Sequence, residues 1–415
     1  VRGLRGYSVD MSTHEPLGPL DKDYLAADLY GYQGLLTEEE NAAVLRTRRF
    51  LEDEVRPRAN EFWEKAESPR HLLPRLADLD IVGLDYEFDG NPASRKILSG
   101  WLSLEFSRVD PSTGTMFTVH SGLAMSSIAI LGSDEQKDRW LPAMKRMEKI
   151  GAFGLSEPRG GSDVAGGLET TARRDGDEWV LNGSKRWIGN ATFADLIVVF
   201  AKDEADGEVK GFVLEKGENG FPDGFRAEKI ERKYSLRAVE NADLYFEDCR
   251  IPAADKLENA NSFADTAKVL SLTRGGVAWG AVGIMIGAFE RAVDYARERE
   301  QFGAPIASFQ LISDLVARMA GNITASLGMA LRVSQLQDSG VRHDEHAALS
   351  KAYCTTRLRE VVGWAREILG GNGIVLDYDV IRFFADAEAV YSYEGTSQMN
   401  NLIVGRGVTG YSAFV

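Results

Sequence analysis

Two cysteines in 415 residues, Cys249 and Cys354, are too few for a disulfide framework and lie far outside zinc-binding spacing. Both read as ordinary thiols of a reducing compartment, and no metal is expected. Val1–Asp10 has basic residues but no apolar run of signal-peptide length, and Met11 is a possible alternative start. No stretch reads as a membrane span free of charges or of a polar helical face. The end, Ser412-Ala413-Phe414-Val415, is not a peroxisomal address, so cytoplasm is the default expectation. Repeats and low-complexity segments are missing too, as are the Rossmann glycine fingerprint and the phosphate-binding loop ending in Lys-Ser or Lys-Thr.

What is present is the composition of a folded enzyme. Apolar residues make up 44% and charged residues 27%, enough for two or three cores. Sixty-three acidic against forty-eight basic residues give a formal charge of -15, which opposes non-specific binding to nucleic acid or anionic membranes. An anionic small molecule needs only a few well-placed cations.

Periodicity divides the chain in three, an α+β arrangement of helices, a β insert and helices. Ala27 to about Met147 reads as helices, with Pro57 marking a bend or stop and Ser133-Asp134-Glu135-Gln136 forming a capping box. Pro111 to Gly114 reads as a turn or helix entry. From Gly151 to about Pro252 short β-rich runs appear, and Asn182-Gly183 between Trp179–Leu181 and Ser184–Ile188 predicts a hairpin turn. Helical periodicity returns over Phe263–Arg299, Ala307–Leu336 and His343–Leu369. Five glycines of the first of these, Gly275, Gly276, Gly280, Gly283 and Gly287, permit close approach of backbone or ligand.

Four segments carry candidate chemistry. Phe153 to Asp163 contains Leu155, Ser156, Ser162 and flexible glycines, and suits either a ligand loop or a boundary turn. Trp187-Ile188-Gly189-Asn190 could stack on an aromatic group or close a core. Glu367 to Gly373 ends a helix in a Gly370-Gly371 turn, an ordinary C-cap by itself. Tyr393-Glu394-Gly395-Thr396 presents a carboxylate beside glycine, which is either solvated or aimed into a pocket.

Together with Arg299-Glu300-Gln301-Phe302-Gly303, these segments resemble, in wording and order, the acyl-CoA dehydrogenase family. The similarity runs from about Leu36 to the C-terminus, with most likeness to the glutaryl-CoA dehydrogenase branch and to plant short-chain acyl-CoA oxidases. The resemblance implies an N-terminal helical domain (1–150), a central β domain (151–255) and a C-terminal four-helix domain (256–415), in a homotetramer built as a dimer of dimers. It implies non-covalent FAD, contacted by Phe153, Leu155, Ser156, Trp187, Ile188, Thr396 and Gln398. Across a dimer interface, Arg299, Gln301, Phe302, Gln310, Glu367, Gly370 and Gly371 would hold the neighbour's cofactor.

The resemblance makes Glu394 the base that removes the α-proton of a thioester while the β-hydrogen leaves as hydride. The thioester carbonyl would accept hydrogen bonds from the flavin ribityl 2'-hydroxyl and the Glu394 amide. Ser162, Arg274 and Gly395 match substrate-contacting positions, with an interdomain salt bridge the other reading of Arg274. Arg108 receives no role. Where glutaryl-CoA dehydrogenases carry an arginine for the distal carboxylate, this chain has Gly114, so a neutral short-chain acyl-CoA is the expected substrate. An electron-transfer flavoprotein is the expected acceptor. The wording of Ser112 to Met125 keeps a short-chain oxidase as the alternative, and a carrier-protein thioester is a third possibility.

Overall fold

The computed structural model describes residues 16–87, 90, 92–341 and 343–412. Val1–Asp10, Met11 and Ala413–Val415, read above, lie outside these.

Among the described residues, seven α-helices form the N-terminal part: α1 (Glu38–Phe50), α2 (Ala59–Lys65), α3 (Leu73–Ala77), α4 (Lys96–Val109), α5 (Pro111–Thr118), α6 (Ser126–Leu131) and α7 (Asp134–Lys145). Pro57 neither stops nor sharply breaks the chain. The helix widens to a π stretch over Leu51–Val55, tightens to a 3-10 turn at Arg56–Arg58, and continues as α2. Pro111 opens α5, where its missing N–H costs nothing, and the Asp110 carboxylate caps the helix by accepting from the Thr113 amide at 2.8 Å. The capping box at Ser133 and Gln136 is formed as the sequence predicts.

The central sheet contains β1 (Gly151–Gly154), β2 (Thr171–Asp175), β3 (Glu178–Gly189), β4 (Leu196–Asp203), β5 (Val209–Glu215), β6 (Phe225–Lys229) and β7 (Asn241–Pro252). Its order is β1-β4-β2-β3-β7-β6, with β5 also paired to β4. The hairpin expected at Asn182-Gly183 is not there. β3 runs straight through, and the turn falls earlier, at Gly176, where φ is 62°. Asn182-Gly183 instead makes a bulge, shifting register between Leu181 and Gly183. A Cβ at Gly183 would lie 2.7 Å from the Thr170 backbone, so glycine serves a close approach here. The Asn182 amide pairs across the bulge with Asp248, at 3.0 and 2.8 Å.

The C-terminal part comprises α8 (Phe263–Glu298), a small hairpin of β8 (Glu300–Gln301) and β9 (Ala304–Pro305), α9 (Gln310–Asp338), α10 (Asp344–Ile368), α11 (Val380–Ser392) and α12 (Ser397–Thr409). At 36 residues, α8 is roughly 54 Å long. Its glycines let α4 approach at backbone distance: a Cβ at Gly283 would meet the Leu104 carbonyl at 2.2 Å, and one at Gly287 the Arg108 carbonyl at 2.3 Å. Arg108 itself is buried in an ion-pair cluster with Glu52, Glu105 and Glu290 that ties α4 to α8.

The sequence reading of no membrane-length apolar stretch needs correction. Pro111–Leu131 and Phe263–Glu298 are long and apolar enough by length and composition, but 61% of each apolar window is buried against the rest of the protein. They are core helices. Both cysteines are free and buried, and burial pushes each thiol up to about 12.

Candidate active site

Glu394 lies in the tight junction between α11 and α12. Tyr393 is extended, whereas Glu394 (φ 54°) and Gly395 (φ 86°) are both left-handed, an unusual conformation for a glutamate. The surroundings hold it. Lys351 of α10, fully buried, donates from Nζ to the Tyr391 carbonyl at 2.9 Å and to the Gly395 carbonyl at 2.7 Å, one on each side of Glu394. Asn400 Nδ2 adds a bond to Gly395 O at 2.8 Å, and the Thr396 hydroxyl caps α12 by accepting from the Met399 amide.

The Glu394 carboxylate accepts a 3.0 Å hydrogen bond from the Thr273 hydroxyl of α8. It is half-buried, and burial pushes its pKa up against the opposing pull of Thr273, Arg274 and Lys351. Burial likewise drags Lys351 down to about 8, with Glu394 working the other way. Arg274, next to Thr273, carries a buried Nε with no partner among the described residues, a donor free for a ligand.

α5 links this junction to the β sheet. The Tyr393 side chain lies near enough to Thr115 to interact with it, and the Met116 carbonyl accepts from Asn190 Nδ2 at 3.0 Å. The segment after β1 and the end of β3 are stitched side by side: the Arg186 amide donates to Ser156 O at 2.9 Å, and buried Lys185 donates to Leu155 O at 3.2 Å and Glu157 at 2.7 Å. Glu157 also accepts the amides of Glu169 and Thr170. A second bulge, between Lys185 and Ile188, turns Trp187 outward with φ 68° and 53% exposure, its carbonyl held by Asn241. Ile188 packs into the sheet core, so only its backbone faces this rim. Leu155, Ser156 and Trp187 thus share one edge, with an exposed indole and free rim groups that fit a planar aromatic cofactor such as a flavin.

The remaining candidates lie elsewhere on the chain. Arg299, Gln301 and Phe302 follow the C-terminus of α8, Gln310 opens α9, and Glu367, Gly370 and Gly371 end α10. Asn372 bonds the Tyr295 hydroxyl at 3.0 Å, which brings the α10 turn to the same end of α8. Phe302 is 96% exposed, and Glu367, Gly370 and Gly371 are exposed too. No hydrogen bond or ion pair among the described residues joins them to Glu394 within the chain. Ser162 and Gln398 are exposed. Among the described residues no three His, Cys, Asp or Glu side chains are grouped to hold a metal.

A small cavity of about 90 Å³ is lined by Thr273, the hydrogen-bond donor to Glu394, with Gly276, Leu102, Phe106 and Phe117 among its other walls. A larger surface cleft of about 730 Å³, beside Pro74 and Pro142, touches none of these residues. At Gly114 there is little room: a Cβ would lie 3.1 Å from that of Phe106.

Acyl-CoA dehydrogenase N-terminal, middle and C-terminal domain families match residues 37–148, 152–249 and 263–409. The chain belongs to the acyl-CoA dehydrogenase family. It is therefore an oxidoreductase of the CH–CH group with the family's three-domain fold. The chain is 33% identical over 374 residues to the short-chain-specific acyl-CoA dehydrogenase of Clostridium acetobutylicum, covering 89% of this chain and 97% of that one. Glutaryl-CoA dehydrogenase of Mycobacterium smegmatis superposes with a TM-score of 0.89 at 36% identity, over 94% of this chain and 99% of that one. A second structure of a glutaryl-CoA dehydrogenase from that organism, in complex with FADH2, gives 0.89 at 32% identity over 93% and 98%.

Thr273 and Lys351 were not singled out from sequence, and Asn190, Lys185 and Glu157 fell in or beside the motifs named there without a role of their own. Lys351 had a signal: it falls in the stripe Ala347, Lys351, Thr355, Leu358, whose other members are small or apolar.

Proposed function

We propose that this acyl-CoA dehydrogenase-family enzyme carries out FAD-dependent α,β-dehydrogenation of a short-chain acyl-CoA thioester and passes the electrons to an electron-transfer flavoprotein. The observation that carries the reading is Glu394, a carboxylate of raised pKa held by the Lys351 clamp on its loop and by Thr273, which itself lines a cavity of about 90 Å³.

Glu394 takes the α-proton. Its raised pKa makes it a stronger base than an ordinary carboxylate, while the flanking cations Arg274 and Lys351 oppose the rise. The Glu394 main-chain N–H makes no hydrogen bond among the described residues and is available to a thioester oxygen gathering charge. The unpartnered Arg274 Nε suits an anionic part of the CoA. FAD, where bound, supplies the acceptor for the β-hydride. Phe153, Leu155, Ser156, Trp187, Ile188, Thr396 and Gln398 would hold it within the subunit. Arg299, Gln301, Phe302, Gln310, Glu367, Gly370 and Gly371 would serve the neighbouring subunit of a homotetramer, with Ser162 and Gly395 on the substrate. Exposed Phe302, Leu311 (82%) and Ile374 (64%) support an assembly that covers this end of the bundle. Cytoplasm and domain limits near residues 150 and 255 complete the reading.

Crowding by Phe106 at Gly114 disfavours a dicarboxylate-binding arginine there and hence glutaryl-CoA. The wording of Ser112 to Met125 favours a second reading, a short-chain oxidase. Anaerobic titration of the flavoprotein with butyryl-CoA and glutaryl-CoA, followed by air, separates these. Bleaching by butyryl-CoA that persists until an electron-transfer flavoprotein is added is the expected result. Rapid recolouring with hydrogen peroxide means an oxidase, and bleaching by glutaryl-CoA alone refutes the substrate assignment.

A further inference from the structure

The cavity that Thr273 lines carries polar side chains in its wall, which a plain hydrocarbon chain does not require. From Thr273 it crosses the face of α8 over Gly275 and Gly276. A Cβ at Gly276 would meet nothing within 4 Å, so the passage is open, while one at Gly275 would lie 3.5 Å from Gln337 Nε2 and 3.6 Å from its Oε1. The amide end of Gln337, from α9, therefore lies against the passage. Leu102, Phe106, Phe117, Leu272 and Trp279 supply apolar wall suited to methylenes.

Most polar groups of the wall are already taken. Ser103 donates to the Gly276 carbonyl at 3.2 Å, Ser334 accepts from Trp279 Nε1 at 2.9 Å, Ser121 accepts from the Gly83 amide at 2.9 Å, and Lys96 is paired with Asp85 at 2.7 Å. Two are not. Ser99 Oγ is buried with no partner, and the Gln337 side-chain amide makes no hydrogen bond among the described residues. A buried hydroxyl left unpartnered is costly, and a site that offers donors and acceptors favours the ligand that uses them.

We propose that the acyl group of the substrate carries an uncharged hydrogen-bonding function, a hydroxyl or carboxamide, at its far end, received by Ser99 and Gln337. The proposal rests on the acyl-CoA dehydrogenase reading and narrows its substrate class. A terminal carboxylate fits less well, because Lys96, the one cation in the cavity wall among the described residues, is already neutralised by Asp85, and a desolvated anion needs a free partner.

The test compares acyl-CoAs of matched heavy-atom count: pentanoyl-CoA against 4-hydroxybutyryl-CoA, and hexanoyl-CoA against 5-hydroxypentanoyl-CoA, with butyryl-CoA as reference. The hydroxylated member of at least one pair is expected to show about tenfold higher kcat/KM, as one recovered buried hydrogen bond gives. Ser99→Ala and Gln337→Leu should each lower that ratio. Preference for the plain chain in both pairs, or a ratio that neither substitution moves, overturns the proposal while leaving the dehydrogenase reading standing. Absence of turnover with every thioester, butyryl-CoA included, overturns both.

Discussion

Replacing Lys351 by methionine removes the clamp on both sides of the candidate base and the positive charge that opposes the rise in its pKa. Hydrogen bonds from a charged donor contribute about 1.5–3 kcal/mol each, so the bonds to Tyr391 O and Gly395 O have a gross worth of about 3–6 kcal/mol. Burial that drags the ammonium from 10.5 to about 8 offsets roughly 3 kcal/mol of that at neutral pH. The net loss of stability in Lys351→Met should therefore be modest, about 1–3 kcal/mol. Catalysis should suffer more, because a left-handed Glu394 freed by even 1 Å loses about a hundredfold.

The pH profile separates clamp from charge. Lys351 lowers the pKa of Glu394, so its removal raises that pKa further and moves the acid limb of kcat/KM to higher pH. Lys351→Gln keeps amide donors without the charge. It should shift the limb while losing less of the plateau than Lys351→Met does. The assay is kcat/KM for butyryl-CoA across the acid limb, with thermal melts as control. An unchanged limb and plateau in Lys351→Met would refute the reasoning, as would a limb that moves to lower pH. Stability supplies a further check: a lysine of depressed pKa binds its proton more readily in the unfolded chain, so its contribution to stability rises with pH between about 8 and 10.5. That rise should flatten in the methionine variant.

Three other outcomes follow from the same geometry. Glu394→Gln should fold normally and lose about 10²–10⁴ in kcat, the contribution of a general base; near-native turnover would remove Glu394 from that role. Glu157→Gln leaves Lys185 as an uncompensated buried cation behind the Leu155–Ser156 segment, and should cost about 3–5 kcal/mol in chemical denaturation, with weaker retention of flavin on dilution. Asp386 is buried, accepts from Trp63 Nε1 and the Leu236 amide, and has an unpartnered Oδ2; burial, aided by Asp110, raises its pKa to about 7. Its folded form binds the proton more tightly than the unfolded chain, so its stabilisation is complete below about 3.8 and is lost as pH rises toward 7, by about 4 kcal/mol at most. Asp386→Asn should abolish that slope in a pH series of denaturant midpoints, and an unchanged slope would count against the assignment.

The errors of the sequence reading have a common physical origin. Asn182-Gly183 has the chemistry of a tight turn, but the same positive-φ glycine serves a bulge when the chain behind it, at Thr170, leaves no room for a Cβ. Local residues specify the backbone angle, and a tertiary contact decides what is done with it. Pro57 likewise lies in a helical path whose π stretch absorbs the irregularity upstream. The capping box at Ser133 and the long glycine-bearing α8 were legible because their signals are local and periodic.

The candidate site was legible in a different way. Glu394 stood out through the order of motifs around it, since a glutamate beside glycine has no distinctive local signature. Its supports are scattered over the chain: Thr273 is 121 residues away and Lys351 is 43, and each is an ordinary helix residue until folding brings them together. A lysine in a helix is expected to be solvated, and only its place in the stripe of Ala347, Thr355 and Leu358 argues otherwise. A charged residue on an otherwise small and apolar face is thus a sequence signal for a buried clamp, and its partners are best sought where a later loop needs its carbonyls held. Here that loop carries the candidate base, so one ammonium group acts on both the left-handed conformation of Glu394 and its protonation, and substitution at Lys351 is expected to move both.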